Sequence, residues 1–170
     1  MSAPQPRSHA STAPLDPAMD ALQLLMAEHR EVKAMFQHYQ KLADAGGRGD
    51  ERMLLASQIC VALALHTQVE EEILYPAARD VLTRDEDIVD EAYVEHAGAK
   101  ALIAQIKTMT SDQPLYDAKV KVLGEYIDHH VKEERTDMFP KARAARGLDL
   151  VALRVQLEER KAELTSEVAA

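Results

Sequence analysis

Tryptophan is missing from this 170-residue chain, and aromatic residues make up only 4% of it. Ala, Leu, Glu and Lys dominate a composition that is 46% hydrophobic, which favours helix over sheet. The chain has one cysteine, Cys60, which excludes an internal disulfide and suits a reducing cytoplasm. No local partner accompanies Cys60, so it reads as a small buried apolar group. Basic residues are outnumbered, leaving a formal charge of -9. That balance disfavours nucleic acid as a partner, because phosphate binding needs a basic face. Uninterrupted apolar runs stay well short of the ~20 residues of a membrane span, so no membrane partner is expected. The N-terminus lacks an apolar h-region, which argues against a secretory signal, and the expected location is the cytoplasm. A chain of this length most naturally forms one domain with a sizeable core.

Residues 1–15 are rich in Ser, Ala, Pro and Gln without periodicity and read as a disordered tail, with His9 in it. The main domain is expected over residues 16–146, and a C-terminal helix and tail over 147–170. Asp16-Pro17 supplies a helix start, and the first helix runs to about Ala43 with Leu22, Leu25, Met26, His29, Val32, Phe36 and Tyr39 as its apolar stripe. Gly46-Gly47-Arg48-Gly49 stops it, and Arg48-Gly49-Asp50 reads as a turn leading to an Asp N-cap. The second helix spans about Glu51 to Leu82, with Leu55, Ile59, Leu63, His66, Glu70 and Leu74 in line and a kink at Pro76. Thr83-Arg84-Asp85-Glu86 has the form of a capping box and opens the third helix, which carries Val89, Ala92, Tyr93, His96, Ala99 and Ile103. Pro114 suits the start of a fourth helix bearing Val122, Tyr126, His130, Glu134 and Met138. Gly147 ends it, and an amphipathic helix over about Asp149 to Ser166 caps the bundle. Short loops between long helices predict an all-α, up-down antiparallel four-helix bundle.

The chain also nearly repeats itself. Glu28-His29-Arg30-Glu31-Val32-Lys33-Ala34 is echoed by Glu95-His96-Ala97-Gly98-Ala99-Lys100-Ala101. His66-x3-Glu70, with Pro76 six residues later, is echoed by His130-x3-Glu134 and Pro140. Residues i and i+4 share a helix face one ~5.4 Å turn apart, so each His-x3-Glu aims an imidazole and a carboxylate at adjacent positions. His29 and His96 each add a nitrogen. Four imidazoles and two carboxylates suit iron, manganese or zinc, and are poor for Ca²⁺ or Mg²⁺, which take oxygen. Two bridging glutamates and two histidines per metal give each ion four protein ligands. A solvent-derived bridge would make five, leaving a position on each ion open to a small molecule.

His129 with Glu133 also satisfies the i, i+4 rule, about 100° around the helix. The matched spacing to Pro76 and Pro140 selects His130 and Glu134 instead. A lone histidine on an apolar stripe is usually a hydrogen-bonded core residue, and a Glu four residues on is usually a surface pair. Six polar groups in one layer of an aliphatic bundle are another matter, since burying them unpaired costs several kcal/mol. Glu28, Glu71, Glu72 and Glu95 fall off the stripe and read as charges on the solvated face. Lys33 and Lys100 border it, with stems on the core edge and amines in water.

His29, His66-x3-Glu70, His96 and His130-x3-Glu134, with Tyr75-Pro76 and Phe139-Pro140, resemble the hemerythrin-like HHE cation-binding domain over about residues 17–145. The resemblance implies a non-haem di-iron centre, oxo- or hydroxo-bridged, with His29 and His66 on one iron, His96 and His130 on the other, and Glu70 and Glu134 bridging. Manganese or zinc are the alternatives. The oxygen-carrying hemerythrins have a fifth histidine one turn after the third-helix one and His-x4-Asp on the last helix. Lys100 and His130-x3-Glu134 stand in those places here. Both irons are then open unless Tyr93 or a nearby Glu fills a position. The expected function is binding or reaction with O2, H2O2 or NO, with peroxide decomposition as its enzymatic form. A non-enzymatic oxygen- or iron-responsive sensor is the alternative, and a purely structural bundle the third reading.

Overall fold

The computed structural model describes residues 19–169, and among them there are helices and no strands. Helix α1 spans Ala21–Asp44. Helix α2, Gly49–Val69, runs through a π turn at Glu70–Leu74 into α3, Tyr75–Val81. Helix α4 spans Glu86–Lys107. Helix α5, Tyr116–Glu133, runs through a second π turn at Glu134–Met138 into α6, Phe139–Ala144. Helix α7 spans Leu150–Ala169. Four long rods joined by short loops pack as an up-down bundle, α1 against α2 and α5, and α4 against α5 and α2. Helix α7 lies lengthwise on α1 and α2, rather than across an end of the bundle.

Several helix starts differ from the sequence expectation. Asp20 caps α1: its carboxylate accepts from Gln23 N–H, and the Gln23 side chain accepts from Asp20 N–H. Asp16-Pro17, His9 and the rest of residues 1–15 lie outside the described residues. Helix α2 already begins at Gly49, so Asp50 sits inside its first turn and pairs with Arg48, 2.6 Å away, instead of capping. The Thr83 capping box does not form. Helix α4 starts at Glu86, and the Asp85 carboxylate accepts from Lys141 of α6 at 2.9 Å. Pro114 stays in the turn before α5, because Leu115 takes a positive φ of 71° and the helix begins at the buried Tyr116.

The buried lines follow the expectation on α1, α2 and α4. On α5 they do not: Val122 and Tyr126 are exposed, and the inner line is Tyr116, Val120, Leu123, Ile127 and His130. Steps alternating between three and four residues keep a stripe facing one way, whereas steps of four alone drift around the helix. The two π turns supply a further correction. Where a kink was expected at Pro76, Tyr75 N–H bonds to the Glu70 carbonyl and Phe139 N–H to the Glu134 carbonyl, five residues back in each case. Pro76 and Pro140 follow these turns, where the ladder is already shifted.

By length and composition the continuous helix Gly49–Val81 could cross a membrane, with mean hydropathy 1.3 over its most apolar stretch, contrary to the reading of apolar runs alone. Half of that stretch is buried inside the bundle, as expected of a core helix. Two aliphatic clusters fill the interior. One gathers Leu22, Leu25, Leu74, Val89, Met138 and Leu157; the other gathers Val32, Ile59, Leu63, Ile103, Leu123 and Ile127. Cys60 is buried in the second, and burial raises its thiol pKa. The polar layer lies between them.

Candidate metal centre

His29, His66, Glu70, His96, His130 and Glu134 are all buried and converge in that layer. Each comes from a different long helix or, for the glutamates, from the first residue of a π turn. His29 Nε2 and His66 Nε2 stand 2.8 Å apart, and His96 Nε2 and His130 Nε2 stand 3.0 Å apart. The carboxylates lie between these two pairs. Glu70 Oε1 is 3.1 Å from His66 Nε2, and its Oε2 is 3.4 Å from His96 Nε2. Glu134 repeats the pattern, with Oε2 3.4 Å from His29 Nε2 and Oε1 3.3 Å from His130 Nε2. Each carboxylate therefore turns one oxygen to each histidine pair.

Two groups of buried donors fall within reach of a single ion: His29, His66 and Glu70 in one, and Glu70, His96 and His130 in the other. The protein does not satisfy these donors by itself. Glu70 Oε1 and Glu134 Oε2 are buried without a hydrogen-bond partner among the described residues. A half-satisfied polar layer in an aliphatic core is costly, and cations between the imidazole and carboxylate donors would satisfy it. The residues fit nitrogen- and oxygen-binding transition metals.

The register on the last rod is as the proline spacing indicated. His130 and Glu134 are inside, while the His129 side chain is 64% exposed and pairs outside with Glu133 and Glu95. Three glutamates assigned to the solvated face belong instead to the centre. Glu28 Oε2 is 2.7 Å from His66 Nδ1, Glu95 Oε2 is 2.6 Å from His130 Nδ1, and Glu71 Oε1 is 3.0 Å from His96 Nδ1. A carboxylate on Nδ1 holds the proton there and leaves Nε2 free to ligate. Glu72 does face solvent, where it pairs with Arg160 of α7. A signal for two of these partners was present, because the sequence echo begins with Glu28-His29 and Glu95-His96.

Electrostatics follow from the same contacts. Burial lowers the His66 pKa, but Glu70 and Glu28 outweigh it and push the group up to about 10. His130 is also raised, by Glu134 against burial. Burial and the neighbouring His66 charge lower His29 to about 4. Burial opposes ionisation of Glu70, yet His66 holds its carboxyl well below the usual range.

Tyr75 is the other residue that the sequence reading left out of the centre. Its hydroxyl donates to Glu134 Oε1 at 2.9 Å and lies 3.1 Å from His96 Nε2 and 3.2 Å from His130 Nε2. Tyr93, considered earlier as an extra ligand, instead donates to the Glu71 backbone carbonyl. Lys100 is no ligand either, since its amine pairs with Glu71. The counterpart of Tyr75 in the other half is Phe139, whose ring stacks on His29 at 6.1 Å.

Removing the partner carboxylates one at a time by Glu28→Gln, Glu71→Gln or Glu95→Gln is expected to weaken metal binding about 10- to 100-fold. Competition with a chelator measures this. Glu31→Gln, on the exposed face of α1, serves as the control. Equal affinities throughout would reduce the three contacts to incidental pairs.

Comparisons with known proteins bear on the family and the fold. Residues 20–142 match the family model described as the hemerythrin HHE cation binding domain. The chain is 27% identical over 121 residues to a DNA nickase of Nostoc sp. (strain PCC 7120 / SAG 25.82 / UTEX 2576), covering 71% of this chain but only 33% of that protein. It is 23% identical over 122 residues to protein Rv2633c of Mycobacterium tuberculosis (strain ATCC 25618 / H37Rv), covering 72% of this chain and 71% of that one. Its fold is shared with the crystal structure of the Rv2633c homolog from Mycobacterium kansasii, a hemerythrin HHE cation binding domain-containing protein. The TM-score is 0.71 at 18% identity, with 89% of this chain and 93% of that one covered. The family match spans nearly all of the four-helix bundle, and on that basis this chain belongs to the hemerythrin HHE family of cation-binding domains.

Proposed function

We propose that the chain is a cytoplasmic non-haem di-iron protein that binds or reacts with a small oxidant, O2, H2O2 or NO, and that peroxide decomposition is its enzymatic form. The observation that supports this most is the placement of Glu70 and Glu134, each with one oxygen toward either histidine pair. His29 and His66 would hold one iron, His96 and His130 the other, and the two glutamates both. Iron held this way supplies redox and Lewis-acid chemistry toward an oxygen or nitrogen ligand. The chain's own residues do the remainder. Glu28, Glu95 and Glu71 orient the imidazoles, the two aliphatic clusters keep water out, and the Tyr75 oxygen stands beside His96 and His130 as a further donor atom. Nucleic acid and membrane are left out of the proposed partners, given the net charge of -9 and the burial of the apolar α2 helix in the bundle.

The test is elemental analysis of untagged protein followed by peroxide consumption. Two irons per chain and H2O2 loss faster than with free iron are expected. Zero or one metal ion from iron-replete growth would end the dinuclear reading, and loss no faster than with free iron would end the enzymatic one.

A second reading, a non-enzymatic iron- or oxygen-responsive sensor, is favoured by one chain of contacts. Lys161 of α7 pairs with Glu28 Oε1 at 2.5 Å, and Glu28 holds His66. Metal loading could thereby be felt by the last helix. This reading expects metal-loaded and metal-free protein to melt at clearly different temperatures. Coincident melting curves would remove its mechanism.

A further inference from the structure

The two halves of the centre differ at one outer position. In one half, Glu71 sits between His96 Nδ1, at 3.0 Å, and Lys100 Nζ, at 2.6 Å. The corresponding residues of the other half are His29, Lys33 and, in place of the glutamate, Arg135. His29 Nδ1 is accordingly buried with no hydrogen-bond partner among the described residues, although the other three histidines each have a carboxylate there. Lys33 turns outward to Asp128, an exposed pair of little strength.

A cavity of about 390 Å³ between α1 and α5 meets this position, and His29, Lys33 and Arg135 all line it. Its size lies in the range of small-molecule sites. Five basic side chains line it, Arg30, Lys33, Lys121, Lys132 and Arg135, against the carboxylates of Glu125 and Asp128. This local excess of positive charge occurs in a chain of net charge -9. Arg30, Lys121, Lys132 and Arg135 have no ion-pair partner among the described residues. Met26, Phe36 and Val131 give the cavity apolar walls.

We propose that this cavity binds a small organic carboxylate, which supplies beside His29 the charge that Glu71 supplies beside His96. Arg135 anchors the carboxylate through its planar fork. Lys33 donates to it, the apolar walls hold the organic body, and its negative charge lies on the side of the buried His29 ring. The apolar walls favour an organic acid over an inorganic anion. The inference rests on the metal reading in one respect: an imidazole that ligates through Nε2 carries its proton on Nδ1, and a negative charge nearby favours that proton. Occupancy of this cavity would then tune one half of the centre from outside the chain.

Calorimetric titration of the full chain with benzoate, benzamide and inorganic phosphate tests this, with metal content measured on the same samples. One benzoate per chain is expected, with benzamide and phosphate weaker by about tenfold or more. Arg135→Glu, which restores the carboxylate of the other half, and Arg135→Gln should each weaken benzoate by a similar factor. Should Arg135→Glu fail to fold, Arg135→Gln decides. Absence of benzoate binding, equal binding of benzamide or phosphate, or unaltered binding by the variants overturns the proposal. Two metals without benzoate binding sinks this inference and leaves the metal reading standing. Arg135-dependent benzoate binding without metal does the reverse.

Discussion

Glu70→Gln is expected to strip the proposed dinuclear centre, leaving no metal ion on the chain after gel filtration. Glu70 is fully buried, and its two oxygens face different histidine pairs, so one substitution touches both ion positions. The amide keeps the shape but offers one neutral oxygen, and its NH2 group cannot ligate. The same carboxylate is also the charge partner that raises His66. Breaking such a buried pair from one side costs about 3–5 kcal/mol, which chemical denaturation would detect. Exchanging His66 and Glu70 together for Leu should by contrast leave a stable, metal-free bundle, because an apolar pair of similar volume needs no partner. Retention of two metal ions by Glu70→Gln would refute the bridging role.

Tyr75→Phe is expected to keep the metals of the proposed centre and abolish a visible absorption of the iron(III)-loaded protein. Among the described residues, its hydroxyl is the one phenol oxygen at the centre, within 3.2 Å of both His96 Nε2 and His130 Nε2. Burial and the carboxylates of Glu134 and Glu70 raise its pKa well above the ordinary value. It would therefore ionise only beside a cation, whose charge inverts that preference. A phenolate on iron(III) absorbs in the visible, and phenylalanine cannot. The variant also makes the two halves alike at this one position, since Phe139 already occupies the matching place. Loss of the hydroxyl from acceptors it satisfies costs about 1–3 kcal/mol of stability, readable by thermal melting. Identical spectra for the two proteins would confine Tyr75 to hydrogen bonding.

The helical reading and the six inner residues were legible because both depend on spacing along one chain. His66 and Glu70, four residues apart, share a face in any α-helix, and the matched distances to Pro76 and Pro140 chose His130 over His129. Tyr75 was not legible for a geometric reason. In a straight α-helix it lies about 140° around from Glu70, and the π turn at Glu70–Leu74 turns it back into the centre. Nor was the start of α4, because Asp85 is drawn to Lys141, 56 residues away.

By itself, then, the sequence determined the helices, the repeat and the six polar residues of the inner layer, all of which local periodicity and residue chemistry dictate. Only the tertiary structure decided which carboxylates serve those donors. Glu28, Glu71 and Glu95 sit off the inner stripe of their own helices, yet each reaches a histidine of another helix. Their surroundings depend on how the helices pack, a relation between distant segments that no periodicity within one segment encodes. The same packing opens the cavity beside His29 and sets Lys161 of α7 on Glu28.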